Sequence, residues 1–456
     1  MANINDTYAS VLSGYSGSVN DRRSELLTSI LGYTKPLSLN DMEAAALASL
    51  GYTGALNDAW DKYIKALGGF GISAKADYLS STFYGNPVPF LFASSQTGVW
   101  YDPSDLTTMF QDDLGSTPVT TAGQTVGLIL DKSQGVVVGN ELVANGNFAT
   151  ASNWTTGTGW SISGGTANFV ISAGGNLTQS IGISGGKYYK VNFTISGTTS
   201  VSFFGVRLGG TSNLASYTGV SDGTKSIILL AQSSDTVLKF AAGTSGPITI
   251  DNVSVKLISG NHATQVTSTQ RPTYQIDSTG RPYLLFDGVD DGMVTGTITP
   301  GTDKVQVFAG VRKLSDALKT VIVEMSATIA GNAGVFNLTT SNSSTTNYGF
   351  SSKGTVQTDN IVAPYTAPIT NVVSALGDIA GSSNLVRVNG TQAGSVLTNQ
   401  GTGNFLAYPL YIGRRGGSSL PFNGRLYSMI VRFGANLTTG QITSTETYVN
   451  GKTGAY

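Results

Sequence analysis

Apolar and polar residues alternate along much of the chain after residue 140, as they do in strands that bury one face. The runs YYKVNFTI at 188–195 and SFFGVR at 202–207 show this period of two. Shorter apolar runs at Leu284–Phe286 and Val305–Ala309 are typical of core strands. The pattern predicts antiparallel sheets that pack as sandwiches, each with one buried face.

The first 70 residues have a different pattern, in which an Asn-Asp dipeptide precedes each of four apolar-periodic runs. Asn and Asp can accept hydrogen bonds from the free N–H groups of a first helical turn, and glycine follows the last leucine of these runs. Helices this short need packing partners, so the segment is either a self-contained bundle or a docking module. We predict a helical domain at 1–70, with helices near 6–13, 21–31, 41–50 and 58–67.

Composition favours a multidomain, mainly β protein, because 456 residues exceed one ordinary core and 58 glycines supply tight turns. Charged residues make up 12% of the chain, against roughly 25% in typical soluble domains. The net charge of −1 gives no electrostatic reason to bind nucleic acid. The sequence has no cysteine, which excludes disulfides and cysteine-based metal sites. We expect no signal peptide and no membrane insertion, since neither pattern is present.

The segment at 99–135, within a predicted connector at 71–139, separates the helical pattern from the β-rich remainder. It predicts a helical turn at 107–110 and a strand at 126–130. Its carboxylates are interpreted either as a metal site or as capping or solvated groups, and capping or solvation is favoured because their spacing matches no EF-hand loop. The segment resembles one that recurs in virion proteins of tailed bacteriophages, which implies a particle component. The carboxylates are those of Asp102, Asp105, Asp112 and Asp113.

Residues 140–258 begin with NELVANGNF and end with ITIDNVSV. This unit resembles the jelly-roll carbohydrate-binding modules found beside many glycosidases. The resemblance implies a structural calcium, for which Asp251 is the matching acidic residue of the last strand. Ala149 stands where a second acidic residue is usual, and Glu141 is a partial replacement for it.

Two tryptophans of the same unit each have two interpretations. An exposed indole can stack on the face of a sugar, whereas a tryptophan in a sandwich more often belongs to the core. Trp154, in the polar turn SNWTTG, is the better candidate for carbohydrate binding. Trp160 is the better candidate for the core.

Residues 259–456 contain LLFDGVDD, then KVQVFAGVRK, and later YIGRRGG and FNGRLYSMIV before a helix predicted at 441–450. This unit resembles the concanavalin A-like, laminin G-type sandwich. Asp287, Asp290 and Asp291 form its acidic cluster, which is either a calcium or sugar-hydroxyl site or a turn held by its own backbone. Arg414 and Arg415 are a compact basic pair, suited to acidic polysaccharide or to a neighbouring subunit.

Catalytic residues are sparse in the two predicted sandwiches. Glycosidases use a pair of carboxylates, and Glu324 has no acidic neighbour two positions away. The single histidine, His262, lies in an inter-module segment, where a Ser-His-Asp arrangement would be unusual. We therefore predict a protein that is not an enzyme.

These observations predict a bacteriophage virion protein, made in the host cytoplasm, whose N-terminal part docks to other virion proteins. Its sandwiches would bind host-surface carbohydrate, through Trp154, Arg414 and Arg415. The alternative is a capsid or tail decoration or adaptor protein with protein contacts only, and a polysaccharide depolymerase is a third alternative. A homotrimer is expected by analogy with fibre proteins.

Overall fold

The computed structural model describes residues 87–92, 96–135, 139–170, 174–197, 204–210, 215–217, 221–232, 236–243, 247–340 and 345–456. The predicted helical domain at 1–70 lies outside these residues, and its helices and docking role stay predictions. The described part is mainly β, with antiparallel pairing in several sheets, which confirms the predicted fold class at that level. No helix in the described part is long and apolar enough to span a membrane.

Strands are numbered here in chain order. Those up to residue 257 are β1 (Gly98–Tyr101), β2 (Met109–Phe110), β3 (Leu128–Ile129), β4 (Thr155–Thr156), β5 (Trp160–Ser163), β6 (Thr166–Phe169), β7 (Asn176–Ser180), β8 (Tyr188–Ser196), β9 (Phe204–Leu208), β10 (Ala215–Tyr217), β11 (Gly223–Leu230), β12 (Val237–Ala242) and β13 (Ile248–Leu257). Those that follow are β14 (Ala263–Thr264), β15 (Thr273–Ile276), β16 (Pro282–Asp287), β17 (Met293–Thr295), β18 (Lys304–Lys313), β19 (Thr320–Met325), β20 (Val335–Thr340), β21 (Tyr348–Lys353), β22 (Gln357–Val362), β23 (Ile369–Asp378), β24 (Ser383–Val388), β25 (Thr391–Val396), β26 (Leu410–Ile412) and β27 (Asn423–Phe433). The helices are α1 (Val88–Leu91) and α2 (Thr439–Thr453), with 3₁₀ turns at Leu106–Thr108 and Ser268–Gln270.

The chain forms two compact units. The central unit comprises residues 101–296 and 411–421. Of the described residues, the terminal unit comprises 87–92, 96–100, 297–340, 345–410 and 422–456. The predicted module at 259–456 therefore supplies strands to both units, and the segment 101–135 belongs to the central unit.

Two five-stranded antiparallel sheets make up the jelly roll of the central unit. The first sheet has the order β10-β9-β12-β7-β4, and the second has the order β11-β8-β13-β6-β5. Along β8, Val191, Phe193 and Ile195 are buried while Lys190 and Asn192 are partly exposed, which is the alternation that the sequence predicted. The buried faces share one core, in which the ring centroids of Phe193 lie 5.6 Å from Phe204 and 5.4 Å from Phe240.

The segment at 99–135 forms a framework of short paired elements in the central unit. Strand β3 pairs with β2 and with β14, and β14 continues the pairing to β17. Asp105 Oδ1 accepts the backbone N–H of Thr107 at 3.2 Å, and Asp112 Oδ1 accepts that of Leu114 at 3.0 Å. These bonds confirm the capping role predicted for both carboxylates. Asp113 instead forms an ion pair with Arg271 at 3.0 Å.

The terminal unit contains a sheet with the order β27-β18-β23-β24-β25 and a run of paired strands β19-β20-β21-β22. Helix α2 packs on the first of these through Val449, near Phe308 and Ile430. A capping box begins the helix, because Thr438 Oγ1 accepts the N–H of Gln441 at 3.2 Å and Gln441 Oε1 accepts that of Thr438 at 2.9 Å. The helix predicted at 441–450 is thus present and longer at both ends.

Two buried charges of the terminal unit, those of Lys313 and Glu446, are paired with opposite charges. The fully buried Lys313 ammonium lies 2.6 Å from Asp316 Oδ1 and 5.1 Å from the ring centroid of Tyr348. Arg387 binds both carboxylate oxygens of Glu446, at 2.8 and 3.0 Å. The Glu446 carboxylate therefore anchors α2 to β24.

Candidate binding site

Two candidate groups separated by more than 120 residues in sequence meet in the central unit. Strand β17 pairs antiparallel with β26, with Met293 opposite Ile412. The turn before β17 therefore lies beside the residues after β26. There, Arg414 Nη1 donates a hydrogen bond to the main-chain oxygen of Asp290 at 2.8 Å. We call Asp287, Asp290, Asp291 and Arg414 the acidic-turn site.

Reciprocal hydrogen bonds hold the turn between β16 and β17. Asp287 Oδ1 accepts the backbone N–H groups of Val289 at 2.8 Å, Asp290 at 3.2 Å and Asp291 at 3.4 Å. Asp291 Oδ2 accepts the N–H of Asp287 at 3.0 Å, and Gly288 has a positive φ of 78°. Asp287 thus performs the turn-forming role that was the alternative to ligand binding.

The acidic-turn site concentrates negative charge. Ligand oxygens of Asp287, Asp290 and Asp291 lie within 4.8 Å of one another, the only such group of three among the described residues. Burial, together with the nearby charges of Asp287 and Asp290, raises the pKa of Asp291 to about 7. The Asp290 carboxylate accepts no hydrogen bond from the described part of the chain, so it can serve as an acceptor for a ligand.

The oxygen donors suit calcium, which prefers clustered carboxylates and takes six to eight oxygen ligands in proteins. Asp287 and Asp291 each use one oxygen for the turn, and their other oxygens are available. The positively charged Arg414 guanidinium would repel a cation bound at this position. Calcium binding by Asp287, Asp290 and Asp291 stays a prediction.

Two glycines permit the close approach of the chain segments. Gly413 has a φ of 75°, and a Cβ there would lie 2.3 Å from the Phe286 ring. A Cβ on Gly292 would lie 3.0 Å from the Cβ of Arg414. Larger residues at either position would push Arg414 away from the acidic turn.

Arg415 begins a tight turn beyond the acidic-turn site. Its N–H donates to the carbonyl of Ser419 at 2.8 Å, and its own carbonyl accepts from Ser418 at 2.9 Å. The two arginines predicted as one basic feature thus differ, since the hydrogen bond to Asp290 is made by Arg414.

Two exposed valines near the site were missed in the sequence. Val289, at the tip of the acidic turn, is 71% exposed, and Val266 is 70% exposed. Gln265, next to Val266, donates from Nε2 to the carbonyl of Gly292 at 2.7 Å, so both valines lie on neighbouring loops. The signal was an apolar residue inside a turn of aspartates, DGVDD.

The indole of Trp154 belongs to the jelly-roll core. It is 8% exposed, its ring centroid lies 4.9 Å from that of Phe148, and its Nε1 donates to the carbonyl of Asn145 at 3.0 Å. This burial argues against the predicted stacking on sugar, because the side chain packs in the core against Phe148 and Phe240. Trp160 is also buried, as predicted for a core residue.

Glu141 and Asp251, the residues predicted for calcium in the jelly roll, make separate local contacts. Glu141 Oε1 accepts the N–H of Val255 at 2.8 Å, and Oε2 accepts the hydroxyl of Ser254 at 2.6 Å. Desolvation raises the pKa of Glu141, but the hydrogen bonds from Ser254 and Val255 outweigh it and hold the pKa below its ordinary value. Asp251 accepts from the backbone and side chain of Asn252. Glu141 therefore ties the start of the module to β13.

His262 is buried rather than placed in an open linker. Its Nδ1 accepts the N–H of Asp131 at 3.0 Å, and its ring lies edge-on to Tyr188 with centroids 5.3 Å apart. Desolvation lowers its pKa to about 4. A neutral, hydrogen-bonded histidine in this position joins two backbone segments and offers no open site for a substrate. Glu324 is likewise fully buried, opposite Asn337 in the β19–β20 pairing.

Comparison with known proteins gives partial structural similarities. No family model matches the sequence. No curated protein matches it either. The sialidase of Trypanosoma rangeli in complex with the inhibitor DANA is 12% identical, with a TM-score of 0.31, over 41% of this chain and 29% of the sialidase chain.

Two further solved structures have similar scores. One, described as showing that cell entry of botulinum neurotoxin type C depends on interaction with two ganglioside molecules, is 13% identical with a TM-score of 0.30, over 40% of this chain and 48% of that one. The CBM40 domain of Ruminococcus gnavus IT-sialidase is 14% identical with a TM-score of 0.27, over 33% of this chain and 97% of that domain. Similarities at TM-scores below 0.5 assign no function to this chain.

Proposed function

We propose that this chain is a carbohydrate-binding component of a bacteriophage particle, and that the acidic-turn site recognises the sugar. One observation carries the proposal. Strand pairing brings the Arg414 guanidinium to the main-chain oxygen of Asp290, next in sequence to the exposed Val289. Loops held at the ends of a rigid sheet are common places for binding residues.

The chemistry of the acidic-turn site suits a polyhydroxylated ligand. The Asp290 carboxylate can accept hydrogen bonds from two neighbouring sugar hydroxyls, and charged acceptors form the stronger hydrogen bonds. Arg414 holds Asp290 through its main-chain oxygen, so the carboxylate is positioned before the ligand arrives. The exposed side chain of Val289 offers an apolar surface for the C–H groups of a sugar ring.

The phage context rests on the sequence of residues 99–135, which resembles a segment of tailed-phage virion proteins. In this proposal the N-terminal 70 residues dock to other virion proteins, and the β-rich remainder faces the host surface. The proposed location is the virion, and the proposed assembly is a homo-oligomer, with a trimer by analogy.

An adaptor or decoration protein is the second candidate function. The exposed Val266 and Val289 favour it, because two apolar side chains beside charged groups also suit a contact with another protein. In that case the acidic-turn site binds a virion subunit and has no affinity for glycans.

A glycan array probed with the full-length chain separates these functions. We expect retention on a defined group of host-surface glycans, and Asp290→Asn should weaken it about tenfold, since a charged hydrogen bond contributes roughly 1.5–3 kcal/mol. The matched control is Asp277→Asn, a turn aspartate beyond the other end of β16 that caps Thr279. The arrays are run with calcium and with chelator, which tests the calcium prediction at the same time.

The outcomes are distinct. Specific binding that is lost in Asp290→Asn and kept in Asp277→Asn supports carbohydrate recognition at the acidic-turn site. Binding that both variants retain assigns the sugar to another surface and contradicts this site. No glycan binding, combined with tight binding to purified phage particles that lack the protein, supports the adaptor function instead.

A further inference from the structure

The jelly roll is attached to the framework of short paired elements through a contact that is separate from its own core. Apolar side chains from both parts form one small cluster, which we call the framework contact: Phe110, Leu128 and Leu130 of the framework, and Tyr188, Ile228 and Ile258 of the jelly roll. The residues between the two jelly-roll sheets belong to a different cluster. The jelly-roll core can therefore stay intact when the framework contact opens.

His262 makes a polar bond beside this contact, and the bond requires a neutral imidazole. The backbone N–H of Asp131 in the framework can only donate, so the Nδ1 atom of His262, 3.0 Å away, accepts and carries no proton. The imidazole proton is then on Nε2, which lies 3.3 Å from the carbonyl oxygen of Ile258. Neutral His262 thus links the framework to the segment that follows β13.

Asp131 binds the same segment a second time, through its carboxylate. Its Oδ2 atom accepts the N–H of Asn261 at 2.8 Å, and its Oδ1 atom accepts the N–H of Ser133 at 2.8 Å. The hydroxyl of Tyr101 donates to the carbonyl of Asn261. Residues on both sides of the bond to His262 are therefore fixed, and the imidazole has little freedom to turn Nδ1 away from the Asp131 N–H.

The other groups around the imidazole also favour its neutral form. The ring of Tyr188 lies edge-on to it, with the Tyr188 hydroxyl directed to the main-chain oxygen of Asp113. Desolvation and the positive charge of Lys187 lower the pKa of His262 to about 4, although the bond to Ile258 acts in the opposite direction. A proton on Nδ1 would face the Asp131 N–H, so protonation would replace a hydrogen bond by two opposed donors and bury a charge.

We propose that His262 is a pH-sensitive switch, which holds the jelly roll to the framework when neutral and releases the framework contact when protonated. Opening exposes the imidazole to water, where its charged form is stable, so proton binding and opening are linked. The closed form binds the proton less tightly than the open form. The contribution of His262 to the contact is therefore complete above about pH 6.5 and is lost as pH falls toward 4.

Hydrogen exchange of the full-length chain, followed by mass spectrometry between pH 7 and 4, tests this proposal. Rates are corrected for the intrinsic pH dependence of amide exchange and converted to opening equilibrium constants. Peptides that contain Asp131 and Ile258 report on the framework contact, and peptides from β12 report on the jelly-roll core. We expect the opening constant of the contact to rise by up to about tenfold for each pH unit between 6.5 and 4, with β12 unchanged.

His262→Gln distinguishes the imidazole from the nearby Asp131 carboxyl. Glutamine can accept from Asp131 and donate to Ile258, but it does not titrate in this range. Its opening constant at the contact should change less than twofold with pH, whether the variant is closed or open throughout. The matched control is Asp277→Asn, which removes a carboxylate that accepts from Thr279 in another turn of the central unit and should keep the full response.

Three results would overturn the inference. The first is a wild-type contact whose opening constant changes less than twofold between pH 6.5 and 4. The second is a pH response that persists in His262→Gln, which would assign it to another group. The third is an equal loss of protection in β12, which would mean that acid unfolds the jelly roll instead of releasing it. None of these results depends on sugar binding, so this proposal and that of the acidic-turn site stand or fail separately.

Discussion

Selected charged residues of the two compact units are arranged in different ways. In the terminal unit, the buried Lys313 is neutralised by Asp316, and Arg387 is bound by both oxygens of the buried Glu446. In the central unit, the three aspartates of the acidic-turn site crowd into one turn. On the first jelly-roll sheet, Arg207 on β9 lies directly opposite Lys239 on β12.

This difference separates structural from ligand-binding charge. A buried pair of opposite charges is complete within the fold, and its removal affects stability. Crowded charges of one sign lower the stability of the free protein. A ligand of opposite charge, or one that donates hydrogen bonds to them, relieves this repulsion when it binds. Charge near like charge is therefore the better guide to ligand binding in this molecule.

The largest expected effect comes from breaking the ion pair of the terminal unit. Asp316→Asn keeps the shape of the side chain but leaves the fully buried Lys313 without its anion, which should lower the free energy of unfolding by about 3 kcal/mol. Native-state hydrogen exchange of the β18 amides measures this loss in one unit. The double variant Lys313→Met, Asp316→Asn should recover part of it, and a loss below about 1 kcal/mol in the single variant would contradict a structural role for the pair.

Removing a charge from the acidic turn should raise the free energy of unfolding, whereas breaking the ion pair lowers it. Below the ordinary Asp pKa of 3.8 the Asp291 carboxyl is protonated in both folded and unfolded chains, and above about 7 it is ionised in both. Between these values the folded chain holds more protons, so the contribution of Asp291 to stability is lost as pH rises from about 4 to about 7. Asp291→Asn should therefore be more stable than the wild type at pH 8, by roughly 2 kcal/mol, and nearly equal at pH 4.

Comparing the wild type with Asp291→Asn also cancels the pH dependence that comes from His262, which has the opposite direction. His262 has a lowered pKa of about 4, so its contribution to stability is lost as pH falls from 6.5 toward 4. This term is common to both proteins and cancels in their difference, measured by urea unfolding across the pH range. A difference that does not vary with pH would show that Asp291 is not crowded by its neighbours. Millimolar calcium at pH 8 should stabilise only the wild type if the aspartates bind the ion.

The smallest expected effect concerns the cation pair of the first jelly-roll sheet. Lys239→Gln removes the repulsion with Arg207 and should stabilise the central unit by about 0.5 kcal/mol in low salt. The gain should disappear at high salt, because screening already weakens the repulsion in the wild type. A destabilised variant would mean that Lys239 has a structural partner. Lys190→Gln serves as the reference for the general effect of losing one charge.

Local patterns in the sequence predicted the framework well. Alternation at 188–195 matches β8, and the run at Val305–Ala309 lies within β18. Thr438 and Gln441 form the capping box at the start of α2, two positions before the predicted first residue. These features depend on residues a few positions apart, which is the range over which periodicity and capping carry information.

Long-range register was beyond the sequence patterns. The meeting of Asp290 with Arg414 depends on which residue of β17 lies opposite which residue of β26, and no local pattern fixes that. The same holds for Arg207 and Lys239, whose common outward face could be predicted from alternation but whose direct opposition could not. Trp154 was misjudged for a related reason, because a polar turn around it hid contacts with the distant Phe240.

The contact between Gly413 and Phe286 has a practical meaning for loop exchange. Since a single methyl group at residue 413 would collide with the ring, this position is a fixed joint between framework and loop. Foreign sequences grafted after it, in place of residues 415–419, would be presented from the same base beside the acidic turn. Loop libraries designed to bind new ligands can therefore start after Gly413 and leave the strands of the sheet unchanged.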